Sequence, residues 1–170
     1  MIKKILVGSV LGLLVTACGT TQMSKLHTLA LEGHELHASL VTQQIDGIPL
    51  HVDRSTLLGN PQVSTEPKFV RTISRGGSQG QLDGEGVEAA LYTLYREEKE
   101  LGFYGLEAGS MADADRLESR LRDIWKVNVS LDRARVHRGG KTLVVVWTDG
   151  VSPSCWEAVN VEVAERLSAP

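Results

Sequence analysis

Hydrophobic and polar positions divide the chain into stretches of different period. Between residues 25 and 53 apolar residues form short alternations, Leu29/Leu31 and Ile48/Leu50/Val52, around Asp46-Gly47. That dipeptide suits the two-residue turn of a hairpin, so an N-terminal β-hairpin region of two or three strands is expected. Ser55 to Pro67 contains Gly59-Asn60-Pro61 and reads as loop, and Lys68 to Ser74 (KFVRTIS) alternates loosely and reads as strand. Arg75 to Gly86, with five glycines in twelve residues, reads as a flexible connection.

From Val87 the period lengthens. Val87, Ala90, Leu91, Leu94 and Leu101 fall on one face of a helix, with Gly102 where a helix-terminating glycine would stand. Phe103 to Ala108 (FYGLEA) follows as a short strand. Ser110-Met111-Ala112-Asp113 resembles a capping box that opens a second helix, with Ala114, Leu117, Leu121, Ile124 and Trp125 inward. Arg133 to Gly150 (RARVHRGGKTLVVVWTDG) predicts a hairpin: Ala134 and Val136 alternate with Arg135 and His137, Gly139-Gly140 makes the turn, and Leu143 to Trp147 is a continuously apolar strand.

The last segment carries two competing signals. Val159, Val161 and Val163 alternate as in a strand, whereas Pro153, a serine cap at Ser152 or Ser154, and Trp156, Val159, Val163 and Leu167 on one face specify a helix. The cap and the proline favour helix. The pattern therefore predicts an α+β fold: a mixed or antiparallel sheet with about three helices packed on one face. Aromatic residues occur only from Phe69 onward, which places the centre of the core in that part.

The N-terminus has a different character. Met1-Ile2-Lys3-Lys4 is basic, and Ile5 to Val15 is apolar but about half the roughly 20 residues a membrane-crossing helix needs, as in an export leader. At its end Val15-Thr16-Ala17-Cys18 resembles the lipobox of bacterial lipoprotein signal peptides. The resemblance implies removal of residues 1–17, diacylglyceryl thioether formation on Cys18 and acylation of the new amine. It also implies a tether over 18–24 and a single domain over 25–170, anchored without a spanning helix. Gly19, rather than an aspartate, follows the cysteine, which points to the periplasmic face of the outer membrane.

Loss of Lys3 and Lys4 with the leader takes the formal charge from −3 to −5, which disfavours nucleic acid as a partner. Basic residues nevertheless cluster: Arg116 to Lys141 holds eight basic and three acidic residues, so Arg133, Arg135, Arg138 and Lys141 are candidate binding residues for an acidic partner or anionic headgroups.

Three groups invite chemistry. Cys155 lacks an intramolecular partner once Cys18 is lipidated; in the first turn of a helix, with His137 as base or Asp149 nearby, its thiol would be activated, although free cysteines usually act as small buried hydrophobes. His34 and His37, with His51 downstream, lack the spacing of a zinc hydrolase and would face opposite ways on a strand, so no metal is expected. Gly76 to Gly80 lacks the continuation of a phosphate-binding loop, and no cofactor is expected. The expectation is a non-enzymatic, membrane-anchored binding or envelope-assembly module with a protein partner. A thiol-dependent hydrolase or transferase using Cys155, or an immunity-type inhibitor of a toxin, is the alternative.

Overall fold

The computed structural model of the protein describes residues 24–49, 52–128 and 133–170; the leader, Cys18, Leu50 and His51 lie outside them. Six antiparallel strands form one open sheet: β1 (Val41–Thr42), β2 (Gln62–Ser64), β3 (Val87–Arg96), β4 (Glu100–Ala108), β5 (Ala134–Gly139) and β6 (Thr142–Thr148). The strand order is β1-β3-β4-β6-β5, with β2 pairing β3 alongside β1. Asn60 ties these edge pieces together, its amide donating to the Gln43 and Leu94 carbonyls while its oxygen accepts from Leu94 N–H.

Both faces of the sheet are covered, not one as the pattern suggested. On one side α2 (Pro67–Gly77) and α3 (Met111–Asn128) pack Phe69, Ile73, Leu117 and Leu121 against Tyr92, Leu94, Leu106 and Val145. On the other, α4 (Pro153–Ser168), the short α1 (Gly33–Leu36) and a 3-10 turn at Lys25–Leu29 cover Leu91, Tyr95, Phe103 and Val144. Each fully buried aliphatic or aromatic side chain contributes about 1.5–3 kcal/mol of transfer free energy.

The second covered face explains the main corrections. The helix expected over 87–101 is strand β3, the turn at 97–99 and the start of β4. Ala89 to Tyr95 is buried at every position, and such a run carries no period-2 signature to distinguish it from a buried helix. Gly102 is no helix terminus; a Cβ there would lie 2.8 Å from the Trp147 ring across the ladder. The strand expected at 68–74 is α2, whose Phe69 and Ile73 are four apart behind Pro67 at the first helical position. The expected N-terminal hairpin is absent from the described residues: Asp46-Gly47 lies in a 3-10 turn at Ile45–Gly47, and β1 pairs with β3. Arg75 to Gly77 closes α2 and is not part of a loop.

The predicted capping of α3, the β5–β6 hairpin and the final helix are present. Ser110 Oγ accepts from Asp113 N–H, Gly140 turns with φ of 63°, and Ser152, rather than Ser154, caps α4 by accepting from Cys155 N–H. Val161 is exposed while Val159 and Val163 are buried, so the valine alternation is one face of a helix.

Candidate functional site

Between the C-terminal end of α2, α3 and the sheet lies a cleft of about 640 Å³, walled by Tyr104, Trp125 and Trp147 and rimmed by Asp53, Arg75, Glu100 and Asp149. Local sequence builds it. Gly77 lets α2 rest on β4, since a Cβ would come within 2.7 Å of Tyr104 Cβ. Trp125 Nε1–H donates to the Gly77 carbonyl at 2.8 Å and ties α3 to that helix end. Gly102 leaves room for the Trp147 indole to lie across β4 and stack with Tyr104, ring centroids 6.0 Å apart and planes 23° from parallel. Tyr92 extends the cluster, 5.7 Å from Tyr104.

Two features mark this cluster as more than core. Tyr92 Oη and Trp147 Nε1 are buried with no hydrogen-bond partner among the described residues. A buried polar group left so costs about 1–3 kcal/mol. The cleft is also electronegative. Burial pushes the Tyr104 hydroxyl well above its usual pKa, and the charges of Glu100 and Asp149 push it further; burial, then Tyr104 and Glu100, do the same to Tyr92. Glu100 pairs with Arg96, Asp53 with Lys68 and Arg75 with Asp83, whereas Asp149 makes no ion pair among the described residues. The indole and phenol faces favour cations, and the carboxylates add to that preference. Sequence pattern did not reveal this site: Tyr92, Tyr104 and Trp147 are polar-tipped aromatics, but that they share one side of the sheet follows only from the strand register.

The basic residues singled out from sequence do not gather into one patch. Arg138 lies on the α3 side of β5, held by Asp115 at 2.7 Å and Glu118 at 2.8 Å. Arg135 points to the opposite side, bidentate to Glu157 and over the Trp156 ring. Lys141 lies 3.9 Å from Glu88, and Arg133 is exposed just before β5. Neighbours on a strand face opposite sides, and here acidic side chains of a helix meet them on each.

Cys155 is fully buried in the first turn of α4. Burial, reinforced by the Glu97 charge, pushes its thiol up to about 11, so the thiolate fraction at neutral pH is on the order of one in 10,000. Its expected base is engaged elsewhere, for His137 Nε2 meets Asn160 Oδ1 at 2.7 Å. The imidazole beside the thiol is His37: its ring nitrogen, a Glu97 carboxylate oxygen and Cys155 Sγ lie within 4.8 Å of one another. His34 is exposed, and Gly76-Gly77 serves close packing against Tyr104.

No described helix is long and apolar enough to cross a membrane. Compared with known proteins, the chain matches no family, no curated sequence and no solved structure.

Proposed function

We propose that the protein is a non-enzymatic lipoprotein, anchored through Cys18 at the periplasmic face of the outer membrane, that binds an envelope partner in the aromatic cleft. The leader and the Val15-Thr16-Ala17-Cys18 motif support the location. The observation that carries the binding reading is the cleft itself, concave and aromatic with a carboxylate rim, the usual composition of a recognition site. Its occupant is cationic: a basic side chain or amine of the partner enters between Tyr104, Trp125 and Trp147, its charge met by Asp149, the rim carboxylate with no ion pair among the described residues. This reverses the sign of the surface expected from sequence, because Arg135 and Arg138 are each paired with acidic side chains of a neighbouring helix. The buried, weakly acidic thiol of Cys155 favours binding over thiol catalysis.

The test is photocrosslinking in cells. A photoreactive residue replacing Gln79, on the cleft wall, should trap one defined partner in the outer-membrane fraction, and Asp149→Arg should abolish the product. The same residue at Val161, exposed on the opposite side of the sheet, should trap nothing in common with it. Equal trapping from both positions, or trapping that survives Asp149→Arg, would refute the cleft. Cys18→Ser should release the protein from the membrane and leave the cleft intact.

A further inference from the structure

On the other side of the sheet, at the turn joining β3 and β4, a second set of groups converges. His37 follows α1, Glu97 sits in the turn and Cys155 lies in the first turn of α4. One donor atom from each falls within 4.8 Å of the others. We propose that Cys155, His37 and Glu97 bind a zinc ion that staples the N-terminal segment to the sheet and to α4.

The donor set selects the metal. A thiolate, an imidazole and a carboxylate are ligands zinc accepts together in tetrahedral geometry, with donor distances of about 2.0–2.3 Å. Calcium and magnesium prefer oxygen alone, and copper(I) prefers sulfur. Thiolate and carboxylate together balance the dication, and the thiol proton leaves to solvent on binding. His37 and Glu97 are half-buried and Ser39 is exposed, so a metal ion can reach the cluster from solvent.

The surroundings orient the donors. Ser39 Oγ–H donates to Glu97 Oε1 at 2.6 Å and meets His37 Nδ1 at 2.7 Å. Ser152, the cap of α4, gives Glu97 a backbone N–H at 2.8 Å and its hydroxyl at 3.0 Å. These bonds fix the orientation of the Glu97 carboxylate. Such supporting hydrogen bonds are what fix ligands around bound metals.

The probes are zinc and cobalt(II) added to the full chain carrying Cys18→Ser, in which Cys155 is the only cysteine. The folded protein should purify with about one zinc per chain. Cobalt(II) in its place should give an intense near-ultraviolet sulfur-to-metal band, absent from Cys155→Ser. His37→Ala should weaken binding sharply, and Ser39→Ala should weaken it by about 10–100-fold. Circular dichroism establishes that each variant is folded. A folded Cys18→Ser chain that neither retains zinc nor develops the cobalt band would overturn the proposal. So would a His37→Ala chain with unchanged affinity and spectrum, which would leave the thiol as an incidental ligand.

Discussion

Two tyrosines on one strand should respond oppositely to loss of the same atom. Tyr95, facing α4, donates its hydroxyl to the Leu31 carbonyl at 2.7 Å in a buried setting. Tyr95→Phe leaves that carbonyl unpaired, a loss of about 1–3 kcal/mol. Tyr92, on the α2 side of the sheet behind Tyr104, buries a hydroxyl with no partner among the described residues, and its folded state carries the desolvation cost of that group. Tyr92→Phe removes the cost and should stabilise the protein by about 1–3 kcal/mol. With a urea slope near 2 kcal/mol/M, about the middle of the usual range, each change moves the unfolding midpoint by roughly 0.5–1.5 M, downward for Tyr95→Phe and upward for Tyr92→Phe. The assay is urea unfolding of the Cys18→Ser chain followed by far-ultraviolet circular dichroism, with unchanged slopes as the control on two-state behaviour. If Tyr92→Phe lowers the midpoint as far as Tyr95→Phe does, the Tyr92 hydroxyl has a partner inside the folded chain and carries no uncompensated desolvation cost.

Two further substitutions probe the scaffold. His137 is held below its ordinary pKa of 6.5, chiefly by burial and against the Asn160 hydrogen bond, with Arg135 and Arg122 adding repulsion. The unfolded chain therefore takes up the proton first, and the stability tied to neutral His137 is complete above pH 6.5 and is lost as pH falls through the lower, folded value. His137→Gln should flatten the decline of the unfolding midpoint between about pH 7 and 5; parallel curves would remove His137 as its source. Gly77→Ala places a methyl 2.7 Å from Tyr104 Cβ, and overpacking of that kind costs about 1–3 kcal/mol, more than the roughly 1 kcal/mol that alanine returns in helix propensity. A lower melting temperature with altered Trp125 emission is the expected result, and an unchanged one would mean that α2 does not rest on β4 as described.

The C-terminal half was the more legible in sequence, for identifiable reasons. Ser110, Gly139-Gly140 and Ser152-Pro153 are local punctuation, and a cap or tight turn works through atoms a few residues away. Residues 87–101 carry no such mark: with α2 and α3 on one side and α4 on the other, a strand needs no polar face, and its apolar spacing matched a helix by coincidence. The segment from 25 to 53 failed for the opposite reason. Leu26, Leu29, Leu31, Leu36 and Leu40 are spaced to reach the hydrophobic surface of α4 and the sheet rather than to pair with one another. The site was visible only as residue types. Tyr92, Tyr104 and Trp147 share a side once the register is known, and His37 and Cys155, separated by more than a hundred positions, meet through packing that no local pattern encodes.

The chain closes on itself where it enters the described fold. Lys25 Nζ donates to the Leu167 and Ala169 carbonyls, and Arg166 reaches the Thr28 carbonyl. The seven residues from Cys18 to Ser24, six Cα steps, extend at most about 20 Å. If Cys18 carries the anchor, this clasp therefore acts as a short mooring that holds the α4 end of the molecule near the lipid. An affinity label fused after Pro170 would emerge on the bilayer side, crowding the mooring and leaving the aromatic opening unobstructed.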